Sequence, residues 1–258
     1  MEQKIAVVCG STQGIGKAVA YKLAADGIKV VLVGRNPERL QSVHQTLEAN
    51  YGPQPNVIQA DFSRPNEVKL AIETWIGQGN QAQILINNSG GPKSGPIVDA
   101  DPSEFLAAFN QHLIGNHIMT QALVPGMKAS GFGRIINIIS TSVKQPLSNL
   151  GVSNTIRGAV ANWSKTMANE LGPFGITVNN ILPGATQTGR LEEIAKVRAE
   201  KTGETIEEIF NDMGQESPMK RIAQPEEIAS AAAFLASEAA GYINGVNLPV
   251  DGGRTKSL

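Results

Sequence analysis

A doubly wound α/β fold, a parallel sheet of about seven strands with helices on both faces, follows from three observations. Short β-branched apolar runs alternate with longer amphipathic segments along the whole chain. The runs are apolar at nearly every position, as suits strands covered on both faces rather than on one. A glycine-rich turn follows the first run and opens a helix. Regular strand–helix alternation of this kind builds βαβ units and therefore a parallel sheet. The chain has 258 residues, no composition break, no repeat and no low-complexity tract. It is read as one domain over 1–258.

Taken in order, the strands are "KIAVVC" (4–9), "KVVLVG" (29–34), "NVIQA" (56–60), "QILINN" (83–88), "RIINIIS" (134–140), "ITVNNIL" (176–182) and "NLPV" (247–250). Between them the 3.6-residue pattern predicts helices near 15–26, 37–50, 65–77, 102–129, 151–171 and 225–236. Asn36-Pro37 and Asp101-Pro102 mark two helix starts, because proline fits the first turn, where no backbone N–H is needed. Residues 187–218 break the rhythm with a polar, charge-rich stretch holding two weak helical patterns, 191–201 and 205–213. Open α/β sheets place ligands beyond the carboxyl ends of their strands. The insertion is therefore either a lid over a substrate or a solvated surface excursion.

Composition narrows the function classes. Hydrophobic residues make up 41% and charged residues 17%, with a net charge of −1 and the two signs interspersed. No basic stripe calls for nucleic acid, and no polybasic end calls for a membrane surface. No apolar run approaches the ~20 residues of a membrane span. The N-terminal apolar run soon meets glycine and reads as a strand, not a signal peptide. Cys9 is the one cysteine and has no internal partner, which fits a reducing cytoplasm. No metal site is expected.

The first loop, "VVCGSTQGIGKAV", spaces glycines at 10, 14 and 16. Glycines there let the backbone turn tightly and approach a pyrophosphate, whose charge the following helix N-terminus stabilises. The spacing is G-x-x-x-G-x-G rather than G-x-G-x-x-G. Three more motifs follow in order: "NNSGG" (87–91), "LPGATQT" (182–188) and "GYINGVNLPVDGG" (241–253). Together the four resemble the classical short-chain dehydrogenase/reductase family over essentially the whole chain. The resemblance implies a single Rossmann-type domain that binds NAD(H) or NADP(H). It places Gly10, Ser11, Gln13, Gly14, Ile15 and Gly16 at the cofactor phosphates and Asp61 at the adenine. Asn88 and Gly90 fall at the adenosine ribose, and Pro183, Gly184, Thr186 and Thr188 around the nicotinamide. The second strand ends "VLVGRN", where an acid would bind the ribose 2′-hydroxyl of NAD. Gly34 stands there instead, and Arg35 offers a guanidinium suited to a 2′-phosphate, so NADP(H) is expected over NAD(H).

The family's catalytic set is Asn-Ser-Tyr-Lys, and this chain departs from it. In "LGVSNTIRGAVANWSKTMANEL" (150–171) Ser153 stands at the tyrosine position and Arg157 at the lysine position. In "FNQHLIGN" His112 stands at the asparagine. Ser140, thirteen residues before Ser153, keeps the family's serine. A tyrosine hydroxyl has a pKa near ~10 that a neighbouring cation can lower, whereas a serine hydroxyl is a far weaker acid. Arginine keeps its charge and shuttles no proton, but its donors can still grip ribose hydroxyls. The tyrosines are Tyr21, Tyr51 and Tyr242, none near 140–157.

Replacement donors are His112, Lys144 and Lys93, or a water held by Ser140 and Ser153. His112 titrates near neutrality and suits general acid work; the alternative is a helix histidine satisfied by a backbone carbonyl behind Ser140. Either lysine also reads as a solvated surface charge. His44 falls on an outer helix and His117 on the fourth helix. "SNTIR" beside "NNSGGP" also resembles a divergent subset of the family that is labelled oxidoreductase, often 3-oxoacyl-carrier-protein reductase, by overall similarity, and fold alone does not fix the reaction. Three functions stay open: an NADP(H)-dependent oxidoreductase on a small carbonyl or alcohol substrate, a cofactor-binding sensor or inactive subunit without turnover, and a lyase using the same pocket. Small and apolar residues on more than one face of 158–171 predict a homo-oligomer. The resemblance implies a tetramer or dimer in which the helices at 102–129 and 151–171 pair across a twofold axis.

Overall fold

The computed structural model describes residues 3–257. Seven strands form one sheet: β1 (Ile5–Cys9), β2 (Lys29–Gly34), β3 (Ile58–Gln59), β4 (Ile84–Asn87), β5 (Gly133–Ile138), β6 (Ile176–Pro183) and β7 (Asn247–Val250). Every pairing is parallel, in the order β3-β2-β1-β4-β5-β6-β7. The helices are α1 (Gly14–Ala25), α2 (Pro37–Tyr51), α3 (Pro65–Gly77), α4 (Pro102–Phe109), α5 (Gly115–Ser130), α6 (Gly151–Leu171), α7 (Gly189–Thr202), α8 (Ile206–Gln215) and α9 (Pro225–Ala236).

The near-continuous apolar strands serve two cores. Alternate side chains of a strand point to opposite faces, so Ala6 and Val8 of β1 pack with Val19 and Leu23 of α1, Leu40 and Leu47 of α2 and Ile228 and Ala232 of α9. Val7 and Cys9 pack on the other face with Ile72 and Trp75 of α3, Met119 and Met127 of α5 and Leu171 of α6. Each face thus receives three helices, and the sheet is buried on both sides.

A row of asparagines crosses the second half of the sheet in register. Asn87 Nδ2 donates to Asn137 Oδ1 at 2.8 Å, Asn137 Nδ2 to Asn180 Oδ1 at 2.9 Å, and Asn180 Nδ2 to Asn247 Oδ1 at 2.8 Å. Buried amides need partners, and one residue type repeated on neighbouring strands supplies them side to side. This ribbon ties β4 through β7 together across the sheet.

Two expectations need correction. The third strand read as 56–60 pairs only at Ile58–Gln59; it lies on the sheet edge, and Pro53 and Pro55 before it cannot donate to a ladder. The helix read as 102–129 is divided: Asn110–Ile114 form a π-helical turn between α4 and α5. His112 lies in that turn, whose wider winding rotates it away from its α-helical phase.

Chain order reverses between β1, which continues to β2, and β4 on its other side. A crevice opens outside the carboxyl ends of strands at such a switch point.

Candidate active site

The crevice is a cleft of ≈ 550 Å³. Its floor is the loop after β1. Gly10 (φ 58°) and Gly14 (φ 52°) both take the left-handed conformation that side chains resist. A Cβ on Gly10 would lie 2.7 Å from the Asn88 carbonyl oxygen, and one on Gly14 would lie 3.2 Å from Thr188 Cγ2. Asn88 Nδ2 donates to the Cys9 and Gly10 carbonyls at 3.3 Å each, fastening the β1 loop to the end of β4. Gly10, Gln13, Gly14, Ile15, Asn88 and Gly90 line the cleft. Ser11 and Gly16 do not, contrary to expectation. Ser11 is fully buried and donates to the Val33 carbonyl at 3.2 Å; its neighbour Thr12 faces the cleft instead. A Cβ on Gly16 would meet the Gly10 carbonyl oxygen at 2.2 Å, so this glycine lets α1 start hard against its own loop. Gly16→Ala should therefore cost about 1–3 kcal/mol through overpacking against backbone, read as a lowered midpoint in chemical denaturation.

At the β2 end, Arg35 is exposed and lines the cleft. A Cβ at position 34 would meet Thr12 Cγ2 at 3.2 Å and Leu40 Cδ2 at 3.4 Å, which leaves little room for an acidic side chain. Arg39 was not foreseen here; its Nη1 donates to Gln13 Oε1 at 2.9 Å and brings a second cation to the loop. Asp61 lines the same end. Burial pushes its carboxyl pKa up, but hydrogen bonds from the Ser63 N–H and hydroxyl and the charges of Arg35 and Arg64 outweigh that, and the net shift is downward.

At the β5–β6 end, Ser140, Arg157, Pro183, Gly184, Thr186 and Thr188 line the wall. Ser140 Oγ accepts from the Ser142 N–H at 3.1 Å and caps the short turn 141–143. Thr188 Oγ1 accepts from Leu191 N–H at 3.3 Å and caps α7, whose first turn brings Arg190, Leu191, Glu193 and Ile194 to the cleft. Arg190 Nη2 donates to the Pro92 carbonyl at 2.6 Å, joining α7 to the loop after β4.

Arg157 is 8% exposed. Its Nη1 donates to the Ile138 carbonyl at 2.9 Å, while Nε is buried with no hydrogen-bond partner. Burial lowers its pKa to about 10, and the like charge of Arg190 adds to the shift.

His112 does not line the cleft, and its expected carbonyl partner is replaced by a side chain. Nδ1 lies 2.6 Å from Ser89 Oγ, and Nε2 is buried without a partner. Burial, and then the Arg157 charge, push its pKa well below the ordinary imidazole range, so it is neutral at neutral pH rather than titrating there. Ser89, which no sequence argument singled out, does line the cleft. Ser153 and Lys144 are half-buried and lie outside the lining residues, as does the exposed Lys93. Serine is too short to reach in from the tyrosine position. The tyrosines are elsewhere: Tyr21 and Tyr51 stack edge to face at 6.4 Å, and Tyr242 is fully exposed. His44 Nε2 meets the Pro55 carbonyl at 3.0 Å, and His117 Nδ1 accepts from Trp163 Nε1 at 3.4 Å.

Over its whole length the chain is similar to known reductases. A family model described as enoyl-(acyl carrier protein) reductase matches residues 10–255. The NADPH-dependent reductase BacG of Bacillus subtilis is 32% identical over 260 residues, covering 100% of both chains. A 3-oxoacyl-[acyl-carrier-protein] reductase of Aquifex aeolicus is 29% identical over 255 residues, 98% of each chain. Among solved structures, L-sorbose reductase from Gluconobacter frateurii, complexed with NADPH and L-sorbose, superposes with a TM-score of 0.93 at 33% identity, covering 100% of this chain and 98% of that one.

Proposed function

Since the chain belongs to the short-chain dehydrogenase/reductase family, we propose that it is an NADP(H)-dependent oxidoreductase acting on a carbonyl or alcohol group, with a catalytic site that departs from the family pattern. The observation that carries this reading is the continuity of one cleft from the glycine loop and Arg35 to the wall holding Ser140 and Arg157. The residues fit the cofactor: a Cβ would fill the cradle at Gly10, and the strand end at Gly34 leaves little room for the acid that would oppose a 2′-phosphate. Gly10, Gln13, Gly14 and Ile15 would hold the pyrophosphate at the N-terminus of α1, Arg35 the 2′-phosphate, Asp61 the adenine, Asn88 and Gly90 the adenosine ribose, and Pro183, Gly184, Thr186 and Thr188 the nicotinamide end. The bound nicotinamide supplies or accepts a hydride.

The chain's own task is then to hold the substrate oxygen and manage one proton. Ser140 Oγ faces the cleft and binds that oxygen. Ser89 takes the place left by the absent tyrosine. Ser89 lines the same cleft, and its hydroxyl is held by neutral His112, which positions Ser89 without carrying charge. The proton reaches the substrate through these hydroxyls from solvent, and the fixed charge of Arg157 favours negative charge developing on the oxygen. Residues near 187–218 form a lid whose first turn, in α7, meets the cleft. The test is NADPH consumption with a panel of aldehydes and ketones. NADPH binding without consumption of any would favour the sensor reading, and conversion without change in cofactor absorbance would favour a lyase.

Arg35→Ala should weaken NADPH by about 1.5–3 kcal/mol, roughly 10–150-fold, and leave NADH nearly unchanged, because only NADPH loses a charge-assisted phosphate contact. Fluorescence titration of both cofactors checks it; equal losses would show that Arg35 does not read the phosphate. The proposed assembly is a homotetramer or homodimer in the cytoplasm. Leu106 and Phe109 on α4, and Phe234 and Tyr242 toward the C-terminus, are large apolar side chains left exposed. Sedimentation at micromolar concentration should give a multiple of the 27.3 kDa chain mass; a monomer would refute it.

A further inference from the structure

The wall around Ser140 carries more positive charge than a neutral carbonyl or ribose hydroxyls require. Arg157 is more than nine-tenths buried and faces the cleft, with one donor committed to Ile138 O and Nε unpartnered. It has no acidic partner among the described residues. A buried charge without a counter-charge is costly. A second guanidinium, Arg190, lines the same cleft, and its like charge adds to burial in lowering the Arg157 pKa. Arg190 is also the second residue of α7, a helix of fourteen residues whose N-terminus adds positive potential. A cation in the first turn of a helix is unfavourable, and Glu192, the acid that shares that turn, is exposed to water.

The groups placed to neutralise this wall do not. His112 is neutral. Glu193 approaches Arg190 Nη1 at 3.4 Å, but its side chain is 69% exposed on the rim and screened by water. Asp61 belongs to the other end of the cleft. The phosphate-reading end at Arg35 follows β2, and Arg157 stands at β5, three strands across the sheet, or about 14 Å at 4.7–4.9 Å per strand. The cofactor's 2′-phosphate at Arg35 therefore leaves this charge unanswered.

We propose that Arg157 and Arg190 form a carboxylate-binding site, and that the substrate is an oxo acid or the matching hydroxy acid. Its carbonyl or hydroxyl lies at Ser140, and its carboxylate lies against the two guanidiniums. Arg157 keeps donors beyond the one given to the Ile138 carbonyl, and with Arg190 it can present charge-assisted N–H groups to both oxygens of a carboxylate. This rests on the oxidoreductase reading above and narrows its substrate class.

The test measures binding, not turnover. The NADPH complex is titrated with 4-oxopentanoate and 3-oxobutanoate, each against its methyl ester, in the native protein, Arg157→Met and Arg190→Gln. Each acid should bind at least ~10-fold more tightly than its ester in the native protein, the size of one charge-assisted contact. In each variant the ratio should fall to within ~2-fold. Equal binding of acid and ester, no binding of either, or an acid preference that survives both substitutions would overturn the proposal. NADPH affinity is titrated first, and the acid-to-ester ratio is also read from thermal shifts of the cofactor-free protein. Failure to bind NADPH thus counts against the oxidoreductase reading alone, and the carboxylate site stands or falls on the acid-to-ester ratio.

Discussion

Replacing Arg157 with methionine should make the ligand-free protein more stable by about 1–4 kcal/mol while removing its activity. Methionine fills a similar volume with apolar atoms and needs no hydrogen bonds, whereas the guanidinium is buried with Nε unsatisfied and shares its cleft with the like charge of Arg190. The sign follows from its pKa. In the folded protein burial holds the guanidinium pKa down to about 10, below the ordinary arginine value. Between those values the unfolded chain binds more protons at this group, so this group's contribution to stability rises as pH climbs above about 10. Below about 10 the full penalty of the buried charge is present. The stability gap between Arg157→Met and the native protein should accordingly be widest near neutral pH and shrink above pH 10. Urea denaturation of both proteins across pH 7–11 measures it. A methionine variant less stable at pH 7 would mean that Arg157 finds compensation within the fold, and the case for an anionic ligand would weaken with it.

The second large effect is a gain. Ser153→Tyr with Arg157→Lys and His112→Asn, with Ser140 kept, restores the family residues at every departing position. Tyrosine supplies the titratable hydroxyl that serine lacks and the length to enter the cleft from α6. Lysine lowers its pKa, and a positioned acid–base group contributes ~10²–10⁴-fold. Asparagine at 112 can still hydrogen-bond Ser89. The ring must pass the loop from Gln145 to Leu150, where Gln145, Pro146, Ser148 and Asn149 are exposed and free to yield; overpacking there costs ~1–3 kcal/mol. Reductase activity toward simple activated carbonyls should rise by that factor, and any native activity that needs Arg157 should disappear. A folded graft that binds NADPH and reduces nothing would show that the pocket has diverged beyond its catalytic residues.

Most of the fold was legible because burial on both faces leaves a plain mark: six of the seven strands are apolar runs that stand where the sequence puts them, while edge strand β3, flanked by prolines, shrank to two residues. The cofactor end of the site was equally legible, since glycine at positions 10 and 14 answers a backbone demand that no other residue meets. The catalytic end was not. Assigning His112 to a carbonyl assumed an unbroken α-helix, and the π turn at 110–114 handed it to Ser89 instead. Placing Ser153 and Ser11 in the cleft followed motif position, but reach and Cβ direction decide what a side chain touches. Arg190 carried a readable signal that went unused: a cation two residues after Thr188, in the first turn of a helix, where positive charge is unfavourable.

The most direct test of the central claim is transfer of label from cofactor to substrate. NADPH deuterated at the transferable C4 position is incubated with the protein and 4-oxopentanoate, and the product is analysed by mass spectrometry and NMR. The oxidoreductase reading predicts 4-hydroxypentanoate with one deuterium on the carbinol carbon and one equivalent of NADP⁺ per product. Tight binding of the labelled NADPH with no deuterium in any product, across 4-oxopentanoate and the aldehyde and ketone panel, would contradict it.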